Sequence, residues 1–183
     1  MHILTGKWRG KSLVYPKKGL RPTQSRVREA VFDILQNDIE NARFLDLCCG
    51  TGSMGLEALS RGAEHVTFVD QETKWVHKNV GFLPKTAYAI YTMECIRFLK
   101  KAALLPFSII FFDPPWEKHS LYEDALKQIL DFGILSPGGI FMCEHSKRVN
   151  LSSFGQTKTY RYGDAYITRL SASPVGYSVQ IDT

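Results

Sequence analysis

The most regular feature of the chain is the alternation, from residue 42 onward, of short apolar runs with segments whose apolar residues recur at helical spacing. Apolar runs of this length between helical segments are typical of buried strands in a parallel sheet. Five such strands are predicted, over residues 42–47, 65–69, 87–91, 107–112 and 139–144. Two further strands, over 158–162 and 165–170, flank the turn residues Gly163 and Asp164 and predict an antiparallel hairpin. The pattern predicts an α/β fold with a mainly parallel seven-stranded sheet.

Helices are predicted between the strands from the spacing of their apolar residues. They cover residues 55–61, 73–82, 94–101 and 121–132. Ser120 and Glu123 have the spacing of a capping box, which favours a helix that begins beside them. A further amphipathic helix is predicted over 25–36, ahead of the first strand of the body, with Arg26 and Arg28 projecting from its first turn. Alternating residues over 3–15 predict a small amino-terminal β-hairpin.

The amino-terminal part of the chain also differs from the rest in charge. Residues 1–28 hold eight of the 23 basic residues and no acidic residue, so the other 155 residues hold 15 basic and 18 acidic residues. Such clusters attract phosphate backbones, although a solvated surface segment is the alternative. We therefore predict a single domain over 1–183. It would comprise a basic nucleic-acid-binding extension (1–40), a body (41–171) and a tail (172–183) to which the sequence assigns no role.

Several functional classes are disfavoured. At 183 residues and 44% hydrophobic content, the chain can bury one core, but it has no apolar run near the ~20 residues that cross a bilayer and no secretory signal. The four cysteines have no paired C-x-x-C spacing, and the histidines are scattered without metal-ligand spacing. We expect a soluble cytoplasmic protein with reduced thiols, no metal and no membrane contact.

A strand, a glycine-rich turn and a helix follow one another around Asp46, Gly50 and Gly52, which predicts a nucleotide site. Asp46 before the glycines favours S-adenosylmethionine over a dinucleotide, because a carboxylate there can hold a cationic amino acid end, directly or through water, whereas it would repel a pyrophosphate. Asp70 closes the next strand, where a carboxylate can accept hydrogen bonds from ribose hydroxyls, or merely cap a helix. Glu94 could accept the adenine amino hydrogens, or it could be a solvated first-turn residue.

The sequence Asp113-Pro114-Pro115-Trp116 follows the fourth strand of the body. An apolar strand that ends in D-P-P-aromatic is a specific signal for methylation of an amino nitrogen. The nitrogen lone pair is delocalised into the base, so acceptors on its protons favour attack; Asp113 and the Pro114 carbonyl would be these acceptors. The prolines fix the backbone, and Trp116 would stack on the base. A rigid turn without chemistry is the alternative.

These segments together resemble the bacterial small-subunit ribosomal RNA guanine-N2-methyltransferase family, over residues 1–170. The opening I-x-x-G-x-W-R-G-x-x-L occurs at 3–13, R-P-T-x-x-R-V-R-E at 21–29 and G-L-E-A-L-S-R-G-A at 55–63. The D-P-P-aromatic loop matches as well. The chain departs from the usual family residues at Cys48 and Cys49, Asp70, Glu94 and Trp116.

The resemblance implies a Rossmann-like class I methyltransferase fold and S-adenosylmethionine as the cofactor, with Cys48 among the cofactor-binding positions. It also implies methylation of the N2 amino group of a guanine in 16S ribosomal RNA, within the small subunit or an assembly intermediate, by a monomer. The implied substrate-binding residues are Arg9, Arg21, Arg26 and Arg28. The residues alone leave open an amino methyltransferase acting on DNA or protein glutamine, an NAD-dependent oxidoreductase, and a non-catalytic RNA-binding module.

Overall fold

The computed structural model describes residues 1–16, 25–101 and 106–171. Helices and strands alternate along most of this length. The helices are α1 (Ser25–Ile34), α2 (Ser53–Ser60), α3 (Lys74–Asn79), α4 (Cys95–Lys101) and α5 (His119–Asp131). The strands are β1 (Arg43–Leu47), β2 (His65–Asp70), β3 (Tyr88–Thr92), β4 (Phe107–Phe112), β5 (Leu135–His145), β6 (Thr157–Tyr162) and β7 (Ala165–Ser171).

The seven strands form one sheet in the order β3-β2-β1-β4-β5-β7-β6. β1 to β5 are parallel to one another, and β7 pairs antiparallel with both β5 and β6. The predicted α/β fold and carboxy-terminal hairpin are confirmed. The chain moves outward from β1 to β2 and β3, then returns to the other side of β1 with β4. Ligands of open α/β sheets bind beside such a reversal, at the carboxyl ends of the strands.

Two hydrophobic cores cover the two faces of the sheet. On β4, Ile109 and Phe111 face the core that includes α1 and α2, while Ile110 and Phe112 face the core that includes α4 and α5. All four side chains are essentially inaccessible to solvent. Burial on both faces explains why this strand is a continuous apolar run rather than an alternating one.

The first and fifth helices differ from their predicted forms. α5 begins at His119, and neither Lys118 before it nor any other side chain caps it, so the capping box predicted at Ser120 and Glu123 is wrong. α1 places Arg28 on its buried face, so the prediction that this side chain projects outward is also wrong. No helix within the described ranges is long and apolar enough to span a membrane.

The predicted amino-terminal hairpin is present in short form: His2 and Ser12 form an antiparallel bridge, and backbone amides donate from Ile3 to Lys11 at 3.0 Å and from Leu13 to Met1 at 2.9 Å. The backbone amides between its two arms donate to α2. Lys7 donates to the Ser60 carbonyl at 2.7 Å, and Trp8 donates to the Ser60 hydroxyl at 3.0 Å. Gly6 lies so close that a Cβ atom there would fall 1.7 Å from the Ser60 carbonyl oxygen. Contact with α2 therefore limits the hairpin to a short ladder.

Candidate active site

A cavity of about 490 Å³ opens at the carboxyl ends of β1 to β5. This volume lies in the ordinary range for small-molecule sites, roughly 300–1,000 Å³. The sheet brings to it segments that are far apart in the chain. Its walls are residues 48–51 and Ser53 after β1, Asp70 and Gln71 after β2, Met93 and Cys95 after β3, residues 113–118 and Leu121 after β4, and Glu144 at the end of β5.

The loop after β1 has an unusual backbone. Cys48, Gly50 and Gly52 all have positive φ, at 64°, 54° and 76°. Glycine takes this conformation without penalty, but for a cysteine it costs free energy. The amides of Cys48 and Cys49 both donate to the Val69 carbonyl, at 2.9 and 3.1 Å, which holds the loop against the end of β2. Backbone strain of this kind is concentrated at functional sites.

Asp70, the residue after Val69, also binds this loop. Its two carboxylate oxygens accept the amides of Gly50 at 2.8 Å and of Glu72 at 2.9 Å. The side chain lines the cavity and is only partly buried. The predicted position of this carboxylate, beside the glycine loop at the end of β2, is the position that the structure gives it.

Asp46 lies behind the wall of the cavity rather than on it. Its side chain is 2% exposed, and one of its oxygens accepts the Gly55 amide at 2.8 Å. This bond ties the end of β1 to the first turns of α2. Burial raises the pKa of Asp46 to about 8, the Gly55 hydrogen bond opposes the rise, and the negative charge of Asp70 adds to it. The geometry thus gives this carboxylate a structural contact, and no direct exposure to a cofactor.

The Asp113-Pro114-Pro115-Trp116 segment forms another wall of the cavity. The Asp113 amide donates to the Leu47 carbonyl at 3.3 Å, which joins this turn to the end of β1. Pro114 is buried, whereas Asp113 and Trp116 are partly exposed. All four residues predicted for catalysis therefore come to one place, within the same cavity as Asp70 and the glycine loop.

Tyr122 is a residue that the sequence patterns did not single out. It is 1% exposed, and its hydroxyl donates weakly to the carbonyls of Pro114 at 3.5 Å and Glu144 at 3.4 Å. Burial raises the pKa of Tyr122, so its hydroxyl keeps its proton and remains a donor. The side chain therefore supports the Pro114 carbonyl from behind. Its place among the apolar residues of α5 gave no separate signal in the sequence.

Two further residues of the cavity, Glu144 and Cys95, were also missed. Phe112 and Cys143 are register partners on β4 and β5, so Asp113 and Glu144 follow at adjacent strand ends. Cys95 interacts with the thiol of Cys48: the hydrogen bond between them raises the pKa of Cys48 and lowers that of Cys95. Strand pairing decides both juxtapositions, and one sequence read alone does not reveal it.

Glu94 is not on the cavity wall, although its neighbours Met93 and Cys95 are. Its side chain is exposed and accepts a long hydrogen bond from the Gln71 amide at 3.4 Å. Gly52 also lies outside the lining. A Cβ atom at this glycine would approach the Phe68 ring to 3.1 Å, so it serves the packing of the loop against the core.

The predicted substrate-binding arginines that the structure describes differ in their exposure to solvent. Arg9 and Arg26 are exposed, and Arg21 lies outside the described residues. Arg28 has no exposed surface: its guanidinium donates to the His2 carbonyl at 2.9 Å and lies 3.6 Å from a Glu57 oxygen. It cannot contact RNA from this position, so its assignment to substrate binding is corrected.

Glu57 binds the amino-terminal segment by accepting hydrogen bonds from its backbone. Its carboxylate is fully buried and accepts the amides of Leu4 at 2.8 Å and Thr5 at 3.0 Å, and the Arg61 guanidinium at 2.9 Å. The sequence G-L-E-A-L-S-R-G-A at 55–63 therefore has a structural purpose: it fixes the basic segment to the helix that follows the glycine loop.

Comparison with known proteins agrees with this architecture. Residues 1–170 match the protein family described as Conserved hypothetical protein 95. Ribosomal RNA small subunit methyltransferase D of Escherichia coli strain K12 is 34% identical over 148 residues, which are 79% of this chain and 74% of that protein. This chain belongs to the small subunit methyltransferase D family. The resemblance predicted from its motifs is confirmed.

Another relative and a solved structure extend the likeness over most of the chain. The protein YlbH of Bacillus subtilis strain 168 is 35% identical over 158 residues, or 82% of this chain and 85% of that one. The solved structure of the Escherichia coli protein yhhF has a TM-score of 0.83 and 29% identity, covering 94% of this chain and 98% of that one. The fold is that of the class I S-adenosylmethionine-dependent methyltransferases.

Proposed function

We propose that this protein transfers a methyl group from S-adenosylmethionine to the N2 amino group of a guanine in small-subunit ribosomal RNA. The proposal rests on the position of two segments of the chain relative to each other. The Asp113 segment and the glycine loop with Asp70 line one cavity, although they come from different strands. In the proposal, the amino-group acceptors and the nucleoside site would therefore lie side by side. The names of the relatives, ribosomal RNA small subunit methyltransferases D, support the class of substrate.

The residues beside β1 and β2 fit the proposed cofactor. Asp70 offers carboxylate oxygens at the rim where a ribose would bind, and the loop at 48–51 exposes backbone in a conformation that lets a ligand approach closely. Met93 and Cys95 add polarizable, mostly apolar side chains to the wall, which suit the flat face of a base. S-adenosylmethionine would supply a methyl carbon bonded to a positively charged sulfur.

The residues after β4 fit a planar amino group. Asp113 would accept one N–H of the base, and the Pro114 carbonyl, supported by the Tyr122 hydroxyl, would accept the other. Both contacts would favour a pyramidal nitrogen, whose lone pair would bond to the methyl carbon while the electrons of the carbon–sulfur bond leave with the sulfur. The nitrogen would become acidic as this bond forms and would lose one proton to Asp113 or to solvent, so Asp113 needs only to be ionised and correctly placed. Trp116 would stack on the base.

The test is to replace Asp113 by Ala and follow methyl transfer to isolated small ribosomal subunits by mass spectrometry of the digested nucleosides. Loss of a preorganised hydrogen-bonding group at a reacting centre lowers turnover by roughly 100-fold or more. Binding of S-adenosylhomocysteine, measured by calorimetry, should be nearly unchanged. Asp124→Ala, an exposed carboxylate on α5, is the matched control.

Undiminished turnover of Asp113→Ala would refute the catalytic assignment. Mass spectrometry of both the nucleosides and the peptides of the digested subunits decides the finer question by identifying the methylated residue. N2-methylguanosine in the small-subunit RNA supports the proposal, whereas a methylated adenine, cytosine or protein glutamine would assign the same loop chemistry to another substrate.

A further inference from the structure

A second stretch without acidic residues lies in the body of the protein, apart from the basic extension. Residues 73–93 contain Lys74, Lys78 and Lys85, together with His77, and no Asp or Glu. The stretch includes α3 and the turn that leads to β3. All three lysines are exposed. The proposed catalytic chemistry uses none of them.

The fold places this stretch against the amino-terminal segment. The Trp8 and Phe82 rings meet edge to face, with their centroids 5.8 Å apart, and Lys11 lies over the Phe82 ring at 4.9 Å. Asn79, which is 3% exposed, accepts the Val14 amide at 2.7 Å and donates to the Val14 carbonyl at 2.9 Å. The two acid-free segments therefore form one continuous surface rather than two separate ones.

Aromatic rings hold the lysines of this surface in place. Lys7 lies over Trp8 at 5.0 Å, Lys78 over Trp75 at 4.8 Å, and Lys85 over Tyr88 at 5.5 Å. Cations held in this way lose less side-chain entropy when they bind an anion. Lys74 is different, because it is paired with Glu72. Within the described part of the chain, none of the other lysines of this surface forms an ion pair.

We propose that the RNA backbone binds along this surface, and that α3 and the turn after it therefore belong to the RNA interface together with the amino-terminal segment. The proposal rests on the proposed function, since it takes RNA as the substrate. The phosphate-binding groups, named here the lysine face, are Lys7, Lys11, Lys78 and Lys85.

The lysine face is connected to the active-site cavity through Asn79. The same side-chain amide that binds Val14 also donates to the Thr51 carbonyl at 3.0 Å, and Thr51 lines the cavity. An RNA strand bound along α3 would thus run on the side of the cavity that the glycine loop forms. Exposed cations, aromatic rings between them and the absence of acidic residues are the features expected of a surface that binds a single-stranded or looped RNA backbone.

The experiment measures RNA affinity against salt concentration for three double variants and the wild type. Lys78→Gln/Lys85→Gln tests the α3 half of the lysine face, and Lys7→Gln/Lys11→Gln tests the amino-terminal half. Lys100→Gln/Lys127→Gln removes the same charge from α4 and α5, which cover the other face of the sheet. The probe is a fluorescently labelled fragment of small-subunit ribosomal RNA, followed by anisotropy.

Each lost phosphate contact lowers the slope of log K against log salt by about 0.7–0.9, so each lysine-face variant should lose about 1.5. The control should keep the wild-type slope. Thermal unfolding and S-adenosylhomocysteine binding, which should match the wild type, show that the fold is intact.

An unchanged slope for Lys78→Gln/Lys85→Gln would remove α3 from the interface. Equal losses in all three variants, the control included, would also overturn the proposal, because they would reflect net charge rather than a surface. The proposed function is judged separately: if the wild type transfers no methyl group to small-subunit RNA in the nucleoside assay, that function fails whatever the slopes are.

Discussion

Asp46 and Asp70 end neighbouring strands, but their surroundings give them different properties. Asp70 accepts two backbone amides at the rim of the cavity, where solvent and ligands reach it. Asp46 accepts one amide in a site that is closed to solvent. A buried carboxylate with a single donor is held nearer its neutral form, because ionisation there loses hydration that one hydrogen bond does not replace.

The raised pKa of Asp46 predicts a pH dependence of stability. Its pKa is about 8 in the folded protein against 3.8 for the unperturbed group, so between these values the folded state binds a proton that the unfolded state has lost. The free energy of unfolding must therefore fall as pH rises through this interval, by at most about 1.4 kcal/mol per pH unit. Asp46→Asn keeps an acceptor for the Gly55 amide and removes the titration.

We expect urea denaturation to show that Asp46→Asn gains stability over the wild type as pH rises from 5.5 to 8. The difference in the free energy of unfolding should grow by about 1 kcal/mol per pH unit. Asp124→Asn, on the exposed side of α5, should follow the wild type. Parallel stability curves for Asp46→Asn and the wild type would show that this carboxylate is ionised in the folded protein.

At the scale of elements, α2 connects the amino-terminal segment to the cavity. Its first residue, Ser53, lines the cavity, while Glu57 and Ser60 on its later turns bind the backbone of the segment. Arg28 on α1 completes the arrangement beside Glu57. A buried ion pair of this kind contributes little net stability when intact, but breaking it leaves a charge that is poorly compensated.

Replacement of Arg28 by Met therefore tests a structural role against an RNA-binding one. We expect chemical denaturation to show a loss of about 3 kcal/mol, at the lower end for a broken buried pair because Arg61 still faces Glu57. Arg26→Met, two positions earlier on the same helix and exposed, should change stability by less than about 0.5 kcal/mol. Similar small effects of both substitutions would mean that Arg28 is not buried in the folded protein.

At the scale of the whole molecule, the sheet assembles the cavity from the ends of strands that are distant in the chain. Asp70 and Asp113 are separated by 43 positions in the sequence yet line one cavity. A ligand that binds there contacts only the folded state, since the unfolded chain does not keep these residues together. Binding must then stabilise the entire domain.

We expect S-adenosylhomocysteine at about 100 times its dissociation constant to stabilise the fold by about 2.7 kcal/mol. For a domain of this size, such a gain raises the melting temperature by about 5–10 °C. NAD should give no shift, and Asp70→Ala should lose the shift whereas Asp164→Ala, in the turn between β6 and β7, should retain it. A shift with NAD alone would instead favour a dinucleotide enzyme.

The apolar pattern was sufficient to predict the strands, because runs buried on both faces of a parallel sheet are recognisable without their neighbours. Residues 107–112 are a strand in the prediction and in the structure alike. The sequence also sufficed to recognise the glycine-rich turn before α2 and the D-P-P-W turn, because the chemistry of each depends on residues that are adjacent in the chain. The amino-terminal hairpin is shorter than predicted because the amides between its two arms bind Glu57 and Ser60, which the local pattern does not reveal.

The sequence by itself determined the α/β class, the family and the two short segments that carry the proposed chemistry, because each of these depends on local order along the chain. Only the tertiary structure decided that Arg28 is buried against Glu57 and that Asp46 lies behind the cavity. It also decided that Tyr122 and Glu144 lie beside the Asp113 segment and that α3 continues the basic surface. These features depend on strand pairing and helix packing. They therefore rest on contacts between residues whose separation in sequence gives no sign of their distance in space.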